Sequence, residues 1–222
     1  RYNFDYYIDK GFYWSIGFNA NYTRFRYDIN PLFFDASLPE SLSGRIPTTM
    51  SDFTGSFFVE TLIKKDFSLK LGATFKRLNM YGSSASLATT FQDSKYQIEE
   101  SDFSSVNSTL KYDTLDNMFF PSDGFLFEGS GELYLTASKY ENFNQFLILK
   151  ANIAKAFLIS KNISFLVGSE GGFVVGDDEI SSLNFGLGGY GYKHFNNNKS
   201  FYGYDFFSLS GDSFVKAYFS AD

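Results

Sequence analysis

From Phe12 to Tyr27 the sequence alternates without a break. Phe12, Trp14, Ile16, Phe18, Ala20 and Tyr22 fall on one face, and Tyr13, Ser15, Gly17, Asn19, Asn21 and Thr23 on the other. A period of two sends successive side chains to opposite faces of a β-strand, and a helix cannot satisfy it. Strands of soluble proteins usually hold about 5–6 residues, and this one is far longer. At its far end Arg24 and Arg26 stand on the formerly apolar face, as expected where a strand leaves an apolar medium.

The same period recurs down the chain. Strands are predicted at Tyr2–Ile8, Ser51–Lys64, Phe67–Tyr81, Phe103–Tyr112, Phe125–Ala137, Phe143–Phe157 and Ile163–Val175, with a last hairpin of Phe201–Phe207 and Ser213–Ala221. On Phe125–Ala137 the apolar side reads Phe125, Phe127, Leu133, Leu135, Ala137 and the polar side Glu128, Ser130, Glu132, Thr136. Connections alternate between short (9–11, 64–66, 160–162) and long (28–50, 82–102, 176–200), and no helical period occurs. Long dyad-patterned strands, small polar residues on one face and unequal loops define an all-β chain: a transmembrane antiparallel up-and-down β-barrel with about ten strands present. Lipid admits a sheet only when its backbone is paired throughout, which forces closure. Aromatic residues make up 21% of the chain, and such rings suit the two membrane interfaces. A soluble β-sandwich or lipocalin-like barrel is the competing architecture, but it calls for shorter strands and fewer outward rings. The chain opens at Arg1 and stops at Asp222 within strand-like patterns, so residues 1–222 read as a barrel portion incomplete at both ends.

Composition removes several function classes. Cysteine is absent, which excludes disulfides and thiolate metal sites. The net charge of −6 argues against a nucleic-acid partner. No Gly-x-Ser-x-Gly element occurs. His194, the only histidine, and Asp177-Asp178-Glu179, a set of hard oxygen ligands for Ca²⁺, both read as loop residues. No catalytic residue and no cofactor are expected in this chain. Glu128, Glu132 and Glu170 sit beside glycines on polar strand faces, where they line a water-filled lumen or hold a segment folded into it.

Two stretches carry more than the pattern. One is Asp113–Gly124, with Asp113, Asp116, Pro121 and Gly124 in an acidic-x-x-acidic segment followed by a Pro-Ser-Asp-Gly turn. The other runs from Leu187-Gly188-Gly189 to Tyr202-Gly203-Tyr204, glycines among bulky rings that should fold tightly into a cavity. In both the chain resembles the Omp85 superfamily of outer-membrane barrels, in which a Leu-Gly-Gly strand precedes an inward-folded loop with an Arg-Gly-aromatic tip. Tyr202 stands in place of that arginine. On this account the chain is most similar to the branch in which a patatin-like phospholipase precedes the barrel, an autotransporter-like form of Bacteroidetes-type bacteria.

The resemblance implies location in the bacterial outer membrane and a sixteen-stranded barrel of which this is a central part. It also implies a non-catalytic role: anchoring, and displaying, an upstream phospholipase. The implied partners are outer-membrane lipid and a second barrel or other outer-membrane proteins. Glu128, Glu132 and Glu170 are then expected to hold the Tyr202-Gly203-Tyr204 tip. The alternative within the superfamily is outer-membrane protein assembly or polypeptide secretion. A diffusion porin would fit the patterning but leave both motifs unexplained.

Overall fold

The structure is a computed structural model that describes residues 2–9, 14–30, 46–64, 66–84, 94–160, 163–176, 180–190 and 197–221. His194 and Asp177–Glu179 lie outside the described residues, as do parts of the 9–11, 64–66 and 160–162 turns. The strands are β1 (Tyr2–Asp9), β2 (Trp14–Ile29), β3 (Ile46–Lys64), β4 (Phe67–Ser84), β5 (Ser94–Asp113), β6 (Gly124–Ala137), β7 (Phe146–Ser160), β8 (Ile163–Val175), β9 (Phe185–Leu187), β10 (Asn198–Lys199), β11 (Leu209–Gly211) and β12 (Ser213–Ala221). The first eight follow one another up and down in a single antiparallel sheet, and β12 completes it beside β8. This nine-stranded sheet is unclosed, with β1 and β12 at its edges. The remaining three strands form a small separate sheet in the order β10-β9-β11.

Three expectations are corrected. Phe201–Phe207 does not pair with Ser213–Ala221: Phe201–Tyr204 is a turn, and β12 takes β8 as its partner, with Val215 opposite Gly171 and Ala217 opposite Ser169. Phe206 and Phe207 are used for core packing instead of for a ladder, and Tyr202 and Tyr204 are exposed. The stretch 82–102 is not one loop, because β4 runs to Ser84 and β5 begins at Ser94. Finally, Ser104 opposes Thr136 and Ser105 opposes Tyr134, a bulge that puts Leu135 out of register. Ala137 is thereby turned to the buried side, away from the face of Leu133, since one extra residue reverses every side chain beyond it.

The face on which residues 180–190 and 197–207 pack is the inner one. Below that packing the inner face is polar: Ser56 and Thr74 share a hydrogen bond of 2.9 Å, and Asn107 donates to Thr74 at 2.8 Å. The outer face there is apolar, and Trp14, Phe18, Phe57, Leu71, Phe75 and Val106 are exposed on it. A water-soluble domain does not leave so wide an apolar belt uncovered. Towards the long-loop end both faces invert. On β4 the inner series passes from Thr74 and Lys76 to Leu78 and Met80, while the outer series passes from Phe75 to Arg77 and Asn79. On β2 the inner series ends in Phe25, Tyr27 and Ile29, and Arg24 and Arg26 face outward.

The inversion marks where the hydrocarbon ends. Phe57→Lys, at the middle of the outer apolar run of β3, should cost about 2–4 kcal/mol in a bilayer, and Asn79→Lys, beyond the inversion, about 0–1 kcal/mol. Urea unfolding of the two variants in liposomes checks the difference.

Candidate functional site

Between β8 and β12 the chain leaves the wall and enters the concave face. A short 3-10 turn, Ser181–Leu183, leads into β9, against which β10 lies parallel and β11 antiparallel. Backbone bonds close the unit: Gly186 N–H to Asn197 O at 3.1 Å, Gly188 N–H to Lys199 O at 3.0 Å, and Ser208 N–H to Leu187 O at 3.0 Å. Gly188 has φ +137°, and a Cβ there would lie 1.9 Å from the Asp205 carbonyl oxygen. Only glycine allows the two backbones to approach so closely.

Aromatic packing fixes the unit to the wall. Phe206 stacks on Tyr27 of β2 at 4.4 Å and meets Phe25 edge-on at 6.1 Å, while Phe185 lies 4.9 Å from Phe214 of β12. Phe207 is almost fully buried and has φ 52°, a strained backbone for a non-glycine residue, maintained by its surroundings. These rings join Ile29, Met50, Leu78, Met80, Phe103, Tyr134 and Phe146 in one apolar core at the long-loop end. Inner-face glycines make room: a Cβ at Gly172 would lie 2.7 Å from the Phe185 ring.

A charged clamp sits beneath the core. Glu170 on β8 receives Lys199 of β10 at 2.9 Å and Lys216 of β12 at 2.5 Å, one cation on each carboxylate oxygen. Lys216 also donates to Ser200 O at 3.1 Å. One carboxylate therefore ties the infolded segment to two adjacent wall strands. The inner face carries a second buried pair, Asp52 with Lys76 at 3.3 Å, supported by Thr54 donating to Asp52 at 2.7 Å. Near the long-loop end Glu99 accepts from Ser101 Oγ at 2.6 Å and Tyr140 OH at 3.0 Å.

The expected contacts from the glutamates to the tip take a different form. Tyr202, Gly203 and Tyr204 form a turn in which Gly203 has φ +87° and Tyr204 N–H donates to Phe201 O at 3.4 Å. Tyr202 is exposed and lies 5.8 Å from Tyr190. Among the described residues no bond joins this tip to Glu128, Glu132 or Glu170. Glu132 accepts from Ser105 Oγ at 2.7 Å, and Glu128 is exposed on β6 opposite Lys111 and Asn152. The partner of Glu170 is Lys199, upstream of the tip. Neither lysine stands out in the sequence, because Lys216 meets Glu170 only through the β8–β12 register and Lys199 only through the infolding of β10.

At the opposite end the motif residues build a self-contained turn. Asp116 accepts from Ser122 N–H at 2.8 Å, Ser122 Oγ at 2.5 Å and Asp123 N–H at 3.1 Å. Asp113 accepts from Leu115 N–H at 3.1 Å and pairs with Lys111 at 2.8 Å. Pro121 is buried, and Gly124 has φ +114° with no room for a Cβ, which would meet Thr114 O at 2.2 Å. Hydrogen bonds from Ser122 and Asp123 lower the Asp116 carboxyl to about 2.

The family model described as the OMP85 superfamily matches residues 1–222. No curated protein matches the chain.

Two predictions test this geometry. Glu170→Gln removes the shared carboxylate and should weaken the docking of 180–211 by about 1–3 kcal/mol, less than a fully buried pair because Lys199 is partly exposed. Limited proteolysis should then cut this segment faster while the wall stays folded, and Glu128→Gln should leave cleavage unchanged. For the turn, a lowered carboxyl contributes stability above its unfolded value of about 3.9 and loses it as pH falls through the folded value. The amide shifts of Ser122 and Asp123 should therefore titrate with a midpoint of about 2, and Asp116→Asn should abolish that titration.

Proposed function

The chain belongs to the OMP85 superfamily, and from that premise we propose that it anchors and displays an upstream patatin-like phospholipase at the outer membrane, doing no chemistry itself. The superfamily consists of outer-membrane proteins of Gram-negative bacteria, and its barrel domains are generally non-enzymatic. The observation that carries the reading is the infolded segment. It is held by Glu170 through Lys199 and buried in the apolar core of the long-loop end, which suits a wall that holds something in place better than an open diffusion channel. The phospholipase part of the proposal is supported by Tyr202 at the tip, where the assembly and secretion members carry arginine. Assembly or secretion of polypeptides is the second reading, favoured by the Leu187-Gly188-Gly189 strand and the infolded loop that those members share.

The test is the native polypeptide itself. Its intact mass and upstream sequence should reveal a chain several times larger than 25.2 kDa with a Gly-x-Ser-x-Gly element. The purified whole protein should release fatty acid from phospholipid, and replacing that serine with alanine should abolish release while the barrel stays folded. Upstream repeats of small periplasmic domains without lipolysis would establish the second reading. A native mass near 25.2 kDa would overturn both.

A further inference from the structure

The wall's glycines fall into two groups. Three that face inward accommodate rings of this chain: an added Cβ would lie 2.2 Å from Phe58 at Gly17, 2.4 Å from Tyr218 at Gly168 and 2.7 Å from Phe185 at Gly172. Those facing outward on β6 accommodate nothing comparable. A Cβ at Gly129 would come no closer than 3.1 Å to the end of the Phe127 ring, and at Gly131 no closer than 3.2 Å to a Leu149 methyl. Neither residue has a positive φ. Glycine weakens a strand interior. At these two positions φ does not demand it, and a Cβ would press only on the end of the Phe127 ring and on a Leu149 methyl, each of which would have to give by a few tenths of an ångström.

The space they leave is a trough in the outer wall of about 790 Å³. Its floor follows one register row, Leu69–Leu110–Gly129–Ala151–Gly171–Val215, each residue directly opposite the next on β4, β5, β6, β7, β8 and β12. The three central positions are the small ones. Phe127 rises on one side of this row and Leu149 and Phe173 on the other. From Leu110 to Val215 the row crosses four strand spacings, about 19 Å at ~4.8 Å each. One leaflet of hydrocarbon is about 15 Å deep. A trough of this length, open to the membrane and walled mainly by aliphatic and aromatic side chains with Ser108 and Ser213 at its margin, has the dimensions and chemistry of a single fatty chain.

We propose that the trough is a binding site for one phospholipid acyl chain, retained on the wall while the surrounding lipid exchanges. The occupant is identified by continuity: the trough is a depression in the same outer apolar face that Phe18, Phe57 and Leu71 present to hydrocarbon. The proposal rests on that face being the lipid-facing one, and not on the identity of any upstream domain.

The test uses the full-length protein in nanodiscs containing phosphatidylethanolamine with a diazirine on one acyl chain. After illumination, labelled residues are mapped by mass spectrometry. Label should concentrate several-fold on Leu149, Ala151 and Phe173 relative to Phe18 and Phe57, and Ala151→Phe, which fills the trough, should bring it to the Phe57 level. Ala151→Leu is the milder filling variant, and heat-modifiable migration on gels verifies that each variant is folded. Even labelling of the whole wall, or unchanged enrichment in a folded filled variant, overturns the site. Protein–protein crosslinks at Ala151 with no lipid label there would make the occupant a second copy, and the acyl-chain proposal fails. Absence of label from Phe18 and Phe57 as well would mean that the membrane reading itself is wrong.

Discussion

A sheet in hydrocarbon has no water to satisfy its amides, so every strand must find its hydrogen bonds in another strand. The order of this sheet follows from that constraint. Each strand from β1 to β8 pairs with its chain neighbour over most of its length, and β12 takes the free edge of β8. Once the backbone is satisfied in this way, side chains are free to answer two solvents. Alternation assigns one set to lipid and one to the interior, and it lets the two sets exchange character along a single strand, as they do between Phe75 and Leu78.

That exchange explains where the protein keeps its hydrophobic core. An outer face in lipid gains little from further burial against protein, and the interior at mid-height is polar. The water-excluding core among the described residues is at the long-loop end, where Ile29, Met50, Leu78 and Met80 turn inward to meet Leu183, Phe185, Phe206 and Phe207. Burying each such side chain contributes about 1.5–3 kcal/mol, an upper estimate since unfolded chains are already partly compact. Glu170 adds direction to this attraction, since two cations on one carboxylate admit fewer orientations of the segment than rings do.

Much of the architecture was legible from period two alone. The wall strands, the asymmetry of the connections and the change of face at Arg24 and Arg26 all follow from it. What remained hidden is what depends on register. Gln97–Asp102 reads as a polar loop because Glu100 and Asp102 face outward beyond the membrane, and because Met80 opposes Glu99 while Tyr81 opposes Gln97, which leaves Ile98 bulged. That bulge buries both Ile98 and Glu99 and destroys the alternation by which a strand is recognised. The clamp was concealed for a similar reason. Glu170 is evident as a charge beside glycines, but Lys216 becomes its neighbour only through the β8–β12 pairing, and Lys199 only once β10 has folded inward. The aromatic run at 201–207 misleads in the other direction, since Phe206 and Phe207 serve a packed core and Tyr202 and Tyr204 an exposed turn, not a pleat.

The chain leaves the wall at Val175 and returns at Ser213, yet these ends are bridged by adjoining bonds: Phe173 pairs with Ser213, and Val174 N–H donates to Asp212 O at 3.0 Å. The β8–β12 joint also holds the pair most distant in sequence in the large sheet, Phe165 with Ala221, and closing so long a loop costs chain entropy before any contact offsets it. The infolded unit touches both strands of this joint: Phe185 of β9 lies against Phe214 of β12, and Lys199 of β10 pairs with Glu170 of β8. The same segment that packs into the core at the long-loop end thus also bridges, from the inner side, the joint through which the wall continues.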